Sequence, residues 1–182
     1  MTIEALAKQG RQYMPVTLAA SVINKTGEIR KKILRESFSS FPQAPYRLET
    51  VANIHGIEFI NDSGACSIHS TWFSMESMGK PVIWIAGGLD SVLDYSELAS
   101  LVAKKVKAII YLGHENEIIR KAFDDTEIPV IAAADMKEAV SIAYYIGKTG
   151  DAVLLSPGCP SKDRFEDFEL RGDKFRVAVK DL

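Results

Sequence analysis

The sequence predicts an α/β fold, a three-layer sandwich in which a mostly parallel sheet carries helices on both faces, preceded by a helical segment and a β-hairpin. Three observations predict it. Short Val- and Ile-rich runs at 81–86, 106–112, 128–132 and 152–155 alternate with stretches of helical periodicity, and continuous apolar runs of that length suit strands buried on both faces. Several of these strands end in short, polar, glycine-bearing loops that feed helices, most clearly over 56–79, where an apolar strand passes through a small polar loop into a helix. Two further strand-like runs, 46–52 and 57–60, flank the turn-forming Asn53-Ile54-His55-Gly56, which suits a hairpin.

Residues 1–45 read as a helical lead-in packed on the body, and 46–182 as the domain proper, so that the chain is effectively one domain. Leu18, Ala19, Val22 and Ile23 make one apolar stripe, Gly27 breaks it, and Ile29, Ile33, Leu34 and Phe38 make a second, ended by Pro42 and Pro45. Beyond the hairpin, helices are expected at 67–78, with Trp72, Phe73, Met75 and Met78 on the apolar face, at 95–104, at 115–123, at 136–147 and from 163 onward. Asp62 or Ser67 is positioned to cap the first of these and Ser161 or Asp163 the last. Asp135 caps the helix at 136, with Glu138 in the capping-box place.

A chain of 182 residues with 47% hydrophobic and 25% charged residues is long and apolar enough to bury a core, and its net charge of -2 argues against a nucleic-acid surface. No apolar run approaches the ~18 residues of a membrane span, and the Met1 region lacks a secretory h-region. Cys66 and Cys159 are too few for a disulfide framework, so a reducing, cytoplasmic setting is expected. His55, His69 and His114 do not fall at metal-ligand spacings, and no metal site is expected.

Three loops are candidates for a ligand edge, because loops at the carboxyl ends of parallel strands gather on one side of the sheet. The first, Asp62-Ser63-Gly64-Ala65, feeds a helix whose amides favour an anion; the second holds Gly87, Gly88 and Asp90; the third is Ser156-Pro157-Gly158-Cys159-Pro160-Ser161-Lys162-Asp163, with Lys162 as a cation. The second lacks both the spaced glycines of a dinucleotide fingerprint and the Gly-Lys-Ser/Thr of a P-loop. Each loop alone reads equally as a plain turn. Arg47 either pairs locally with Glu49 or reaches a phosphate.

Tyr46-Arg47-Leu48-Glu49, FINDSGA at 59–65, STWFSMESMGKPVIWIAGG from Ser70 and SPGCPSKDRFEDFELRG at 156–172 together resemble the C-terminal domain of the Mur ligases, over nearly the whole chain from about Met14. Within the family the D-glutamate-adding branch of peptidoglycan synthesis is most similar. The resemblance implies a Rossmann-like fold that presents the incoming amino acid in a three-domain, ATP- and magnesium-dependent ligase. The other domains hold the UDP-sugar, the P-loop and the magnesium ligands, and an acyl phosphate on the UDP-muramoyl-alanine carboxylate is attacked by the D-glutamate amine. By resemblance Arg47 approaches the ATP phosphates, Asp62 the ribose, and Ser161 and Phe168 the amino-acid carboxylate; Cys66 stands where the family has Thr, beside the same ligand. Tyr46 replaces a His and Ser67 an Asn, while Gly64 and Ser91 stand where the family has lysines, which leaves Lys162 as the cation at hand.

Two functions follow as expectations. The first is the amino-acid-binding domain of such a ligase, inactive alone for want of a P-loop, whose partners are the UDP-sugar and ATPase domains in cis or in trans. The second is a non-catalytic module that binds a nucleotide or acidic metabolite or docks on a ligase.

Overall fold

The computed structural model describes residues 44–87, 94–113, 117–162 and 164–182. The expected lead-in up to residue 43 lies outside the described residues, as do Gly88, Asp90, Ser91, His114 and Asp163. The chain runs β1 (Glu49–Ile54), β2 (Ile57–Asn61), α1 (Ile68–Ser77), β3 (Val82–Ala86), a 3-10 turn (Tyr95–Leu98), α2 (Ala99–Lys105), β4 (Val106–Leu112), α3 (Glu117–Ala122), β5 (Val130–Ala133), α4 (Met136–Ile146), β6 (Ala152–Leu155) and α5 (Phe168–Lys180). The strands form one sheet in the order β1-β2-β6-β3-β4-β5. Among the described strands only the β1–β2 pair is antiparallel.

The hairpin forms as its turn chemistry predicts. Ile54 pairs with Ile57 across His55 and Gly56, whose φ of 51° and 82° give the left-handed pair a tight hairpin turn needs, and the Asn53 side chain accepts from Gly56 N at 3.1 Å. Strand β1 begins three residues later than its sequence pattern suggests. Tyr46 and Leu48 have φ of 63° and 45°, so the backbone there is folded over the end of β2 and cannot join the ladder.

The core lies in two layers. Ile83, Ile85, Val153 and Leu155 face α4 and α5, where Val140, Ala143, Phe175 and Val179 are buried; Trp84 and Leu154 face α1, α2 and α3, against Met75, Val102 and Ile119. Burial on both faces explains why these strands read as unbroken apolar runs.

Several helix expectations are corrected. Only Met75 of the four residues assigned to the apolar face of α1 is fully buried; Trp72 and Phe73 are exposed and stack edge to face, while Ile68, Thr71 and Ser74 turn inward. Small polar side chains fit there because β6 and its loop approach closely, and Thr71 Oγ1 donates to the Ser156 carbonyl at 3.3 Å. The last helix starts at Phe168 rather than 163. Asp167 is its cap, accepting from Leu170 N at 2.7 Å, and the preceding residues fold into turns anchored on the Ser161 carbonyl. Ser67 caps α1, and Asp135 caps α4 while Glu138 reaches back to Ala134 N at 2.7 Å.

Candidate functional site

The strand order creates the site. The chain leaves β2, skips a position to β3, builds outward through β4 and β5, and returns as β6 in the gap between β2 and β3. The carboxyl ends of β2, β3 and β6 therefore meet at one edge, where an open α/β sheet reverses its winding.

Hydrogen bonds tie the described parts of these loops together. Asp62 N donates to the Leu155 carbonyl at 2.8 Å, Gly158 N to the Ala65 carbonyl at 3.1 Å, and Gly87 N to the Pro157 carbonyl at 3.3 Å. Cys159 Sγ donates back to the Gly87 carbonyl at 2.9 Å. Gly87 has φ of 124°, and a Cβ there would meet Leu112 N at 2.8 Å, so this position requires glycine. Gly88, Asp90 and Ser91, the rest of the second loop, lie outside the described residues.

Asp62 is wholly buried. Its Oδ1 accepts from Leu48 N at 3.2 Å and its Oδ2 from Ser156 Oγ at 2.8 Å. Burial pushes its carboxyl above the ordinary aspartate range, against the opposing pull of hydrogen bonds from Ser74, Ser156 and Leu48 and of the Arg47 charge. Both oxygens serve the fold: one holds the left-handed turn at Leu48, the other fixes the start of the third loop. Ser63 is buried as well, donating from Oγ to the Phe168 carbonyl at 2.7 Å.

Arg171 was not singled out by sequence reasoning, yet it is the centre of this edge. It is 1% exposed, and its guanidinium donates to Ser63 Oγ at 3.0 Å, the Ser63 carbonyl at 2.8 Å, the Cys159 carbonyl at 3.2 Å and the Pro160 carbonyl at 3.4 Å. Cys66 Sγ lies 3.6 Å from Nη2 and Cys159 Sγ 4.0 Å from Nη1, so the two cysteines flank one cation. One side chain from α5 thus cross-links the first and third loops. Its hydrogen-bond partners among the described residues are neutral, and the five fixed donors of a guanidinium suit that role where a lysine would not. The local signal was the Arg-Gly pair at 171–172, one turn into a helix, which periodicity alone reads as surface.

The remaining candidates fall around this centre. Ser161 is nearly buried and Lys162 exposed. Phe168 is 38% exposed and stacks edge to face on Tyr46 with ring centroids 5.9 Å apart. Gly172 lets that ring in: a Cβ there would lie 2.4 Å from Tyr46 Cδ1. Tyr46 also lies under Arg176, 4.3 Å from the guanidinium carbon, and Glu49 takes a forked pair from Arg176, Nε to Oε1 at 3.1 Å and Nη2 to Oε2 at 2.7 Å. The local Arg47–Glu49 pair is therefore not formed. Arg47 is exposed and has no carboxylate partner among the described residues. Its aliphatic stem passes Gly64, where an added Cβ would lie 4.0 Å from Arg47 Cδ and 3.0 Å from the Tyr46 carbonyl.

Residues 46–159 match the family described as Mur ligase, glutamate ligase domain. The chain belongs to this family. Its curated relatives include the UDP-N-acetylmuramoylalanine–D-glutamate ligases of Porphyromonas gingivalis, 41% identical over 182 residues, and of Christiangramia forsetii, 42% identical over 182 residues. Both alignments take in all of this chain and about two-fifths of the relative, 40% and 41% respectively. Among solved structures, a murein peptide ligase from Psychrobacter arcticus superposes with a TM-score of 0.55 at 13% identity, over 81% of this chain and 32% of that one, which speaks for the fold alone. The Rossmann-like sandwich expected for a Mur ligase C-terminal domain is therefore the fold present. An end-to-end match to ligases also favours a ligase domain over a stand-alone binding or docking module. Among the described residues no helix is long and apolar enough to cross a membrane.

Proposed function

We propose that this chain is the amino-acid-binding portion of a UDP-N-acetylmuramoylalanine–D-glutamate ligase and contributes to peptide-bond formation in peptidoglycan synthesis. The observation that carries the reading is the alignment of all 182 residues, at 41% identity, with a ligase of that name. The braced three-loop edge supports it with a site of suitable chemistry.

The Ser161 hydroxyl, the Lys162 ammonium and the edge of Phe168 receive the amino acid, with Cys66 and Gly64 forming the wall opposite. Lys162, exposed at the end of the third loop, supplies a cation to an acidic side chain, and the buried charge of Arg171 adds to the field beneath it. Gly87 closes the cleft on the β3 side, next to the third loop.

ATP with magnesium, bound by the full-length enzyme, supplies the activation of the acceptor carboxylate. The residues of this chain fit a peripheral share of that nucleotide. Arg47, exposed and in no ion pair among the described residues although its charge acts on the nearby Asp62 carboxyl, suits a phosphate oxygen. Asp62, with no exposed surface, acts toward the ribose side by fixing the loop rather than by offering a free oxygen. UDP-sugar and ATPase domains, in cis or in trans, are the partners, and the cytoplasm, where ATP and the UDP-sugar are found, is the setting.

The test is a chimera in which this chain replaces the matching C-terminal two-fifths of the Porphyromonas gingivalis ligase. With UDP-N-acetylmuramoyl-L-alanine and ATP present, the expected result is phosphate release that rises on adding D-glutamate and not L-glutamate. A folded chimera that ignores D-glutamate, beside an active parent, overturns the reading.

A further inference from the structure

A cleft of about 520 Å³ opens between the carboxyl ends of β4 and β5, the first turn of α4 and the outer face of α5. It lies beside the three-loop edge: Arg164 and Phe165 line it, and their amides donate to the Ser161 carbonyl at 3.1 and 2.9 Å. Its lining includes none of the residues that bind the first loop to the third.

The floor is apolar, made by Leu112, Met136, Phe165, Leu170, Val177 and Ala178. Leu170 and Val177 are 38% and 55% exposed, so burying them against a ligand is favourable. The rim is basic. Lys137 is offset by Asp181 at 3.9 Å, and Asp135 is committed to capping α4, but Arg164 and Lys174 have no carboxylate partner among the described residues. Arg164 is held in place rather than loose. Nη1 donates to the Ala134 carbonyl at 3.3 Å, and Gly113, with φ of 133°, leaves Nη2 room that a Cβ, 3.0 Å away, would take. The Nε of the same guanidinium is buried without a hydrogen-bond partner among the described residues, an arrangement that carries a cost.

We propose that this cleft is a second small-molecule site, separate from the three-loop edge, for an amphipathic anion: a compact apolar body laid on the floor, with a carboxylate or sulfonate between Arg164 and Lys174. An apolar floor with a few convergent donors is the usual construction of a small-molecule site, and a cleft of this volume holds a bicyclic or short-chain acid. The helix N-terminus is not the attraction, since the Asp135 carboxylate already sits on it and accepts from Glu138 N.

The probe is 8-anilino-1-naphthalenesulfonate, with N-phenyl-1-naphthylamine as its uncharged counterpart, titrated by fluorescence into the whole chain. One saturable site is expected. The double variant Arg164→Gln, Lys174→Gln should weaken the sulfonate at least tenfold while changing the amine less than threefold, and Val177→Asp, which places a like charge on an exposed edge of the floor, should weaken the sulfonate similarly. Unfolding midpoints in urea verify that each variant is folded. Backbone amide shifts caused by the sulfonate should centre on residues 136, 164 and 177. Equal affinity in the variants, no saturable binding, or shifts centred on Trp72 and Phe73 would overturn the proposal.

Discussion

Arg171 Nη2 donates to the carbonyl of Ser63 at 2.8 Å, joining a helix near the end of the chain to a loop 108 residues earlier. Through this and its bonds to the third loop, the guanidinium sets the spacing between the two walls of the proposed cleft. Replacing Arg171 by Met leaves the Ser63, Cys159 and Pro160 carbonyls without these donors. Urea unfolding should show a loss of about 3 kcal/mol or more, and hydrogen exchange should quicken at residues 63–66 and 158–161 before the rest of the sheet. A loss below about 1 kcal/mol would mean the loops are held by their backbone bonds alone.

Asp62 makes a pH prediction of definite sign. Its folded-state carboxyl is raised by burial above its unfolded value, so between the two values the folded chain holds more protons than the unfolded one. Stability from this group therefore falls as pH rises from the ordinary aspartate range through the raised value, and is level above it. Asp62→Asn keeps an acceptor for Leu48 N and removes the titration. The difference in unfolding free energy between wild type and variant should shift in favour of the variant with rising pH, and a difference that moves the other way would show that the hydrogen bonds outweigh burial.

Gly172 is closed to side chains by the Tyr46 ring, which a Cβ would approach to 2.4 Å, and by Asn61 Nδ2 at 2.9 Å. Gly172→Ala should cost about 1–3 kcal/mol of stability. In the background Tyr46→Ala the same substitution should cost clearly less, because the ring it displaces is gone. Thermal unfolding of the four proteins measures the coupling, and additive costs would place the clash elsewhere.

In the chimeric ligase, Lys162→Gln should raise the KM for D-glutamate about tenfold to a hundredfold, the equivalent of one charge-assisted hydrogen bond, with little change in the KM for ATP. Arg47→Gln should do the reverse. Steady-state kinetics with each substrate varied in turn separates the two roles, and a shared effect on both constants would point to a general disturbance of the cleft.

Much of the architecture was legible in local pattern. The unbroken apolar runs at 81–86, 106–112 and 152–155 predicted strands covered on both faces, whereas the run at 128–132 became the half-exposed edge strand β5. Asn53-Ile54-His55-Gly56 predicted a hairpin, and Asp135, with Ser67 as one of two candidate caps, predicted helix starts, because each depends on residues within a turn or two. Local pattern misled where a neighbour remote in sequence decided the outcome. Trp72 and Phe73 look like core residues, yet the inner face of α1 is narrowed by the loop after β6 and takes Thr71 and Ser74 instead. Glu49 lies two residues from Arg47 but pairs with Arg176, because α5 packs against β1 and offers the planar fork of Nε and Nη2 to the carboxylate.

The sequence by itself determined the order of strands and helices, the three polar loops and, through its motifs, the family. Tertiary structure alone decided what those loops do for one another. The return of β6 between β2 and β3 brings Ser63 and Cys159 within reach of one guanidinium and buries Asp62 between Leu48 and Ser156. It also surrounds Arg171 with carbonyls from loops separated by about a hundred positions in the chain. The physical reason is that periodicity and capping are short-range properties of the backbone. The partner of a buried polar group is instead set by which loops the sheet brings into register, and that follows from strand order, a property of the whole chain.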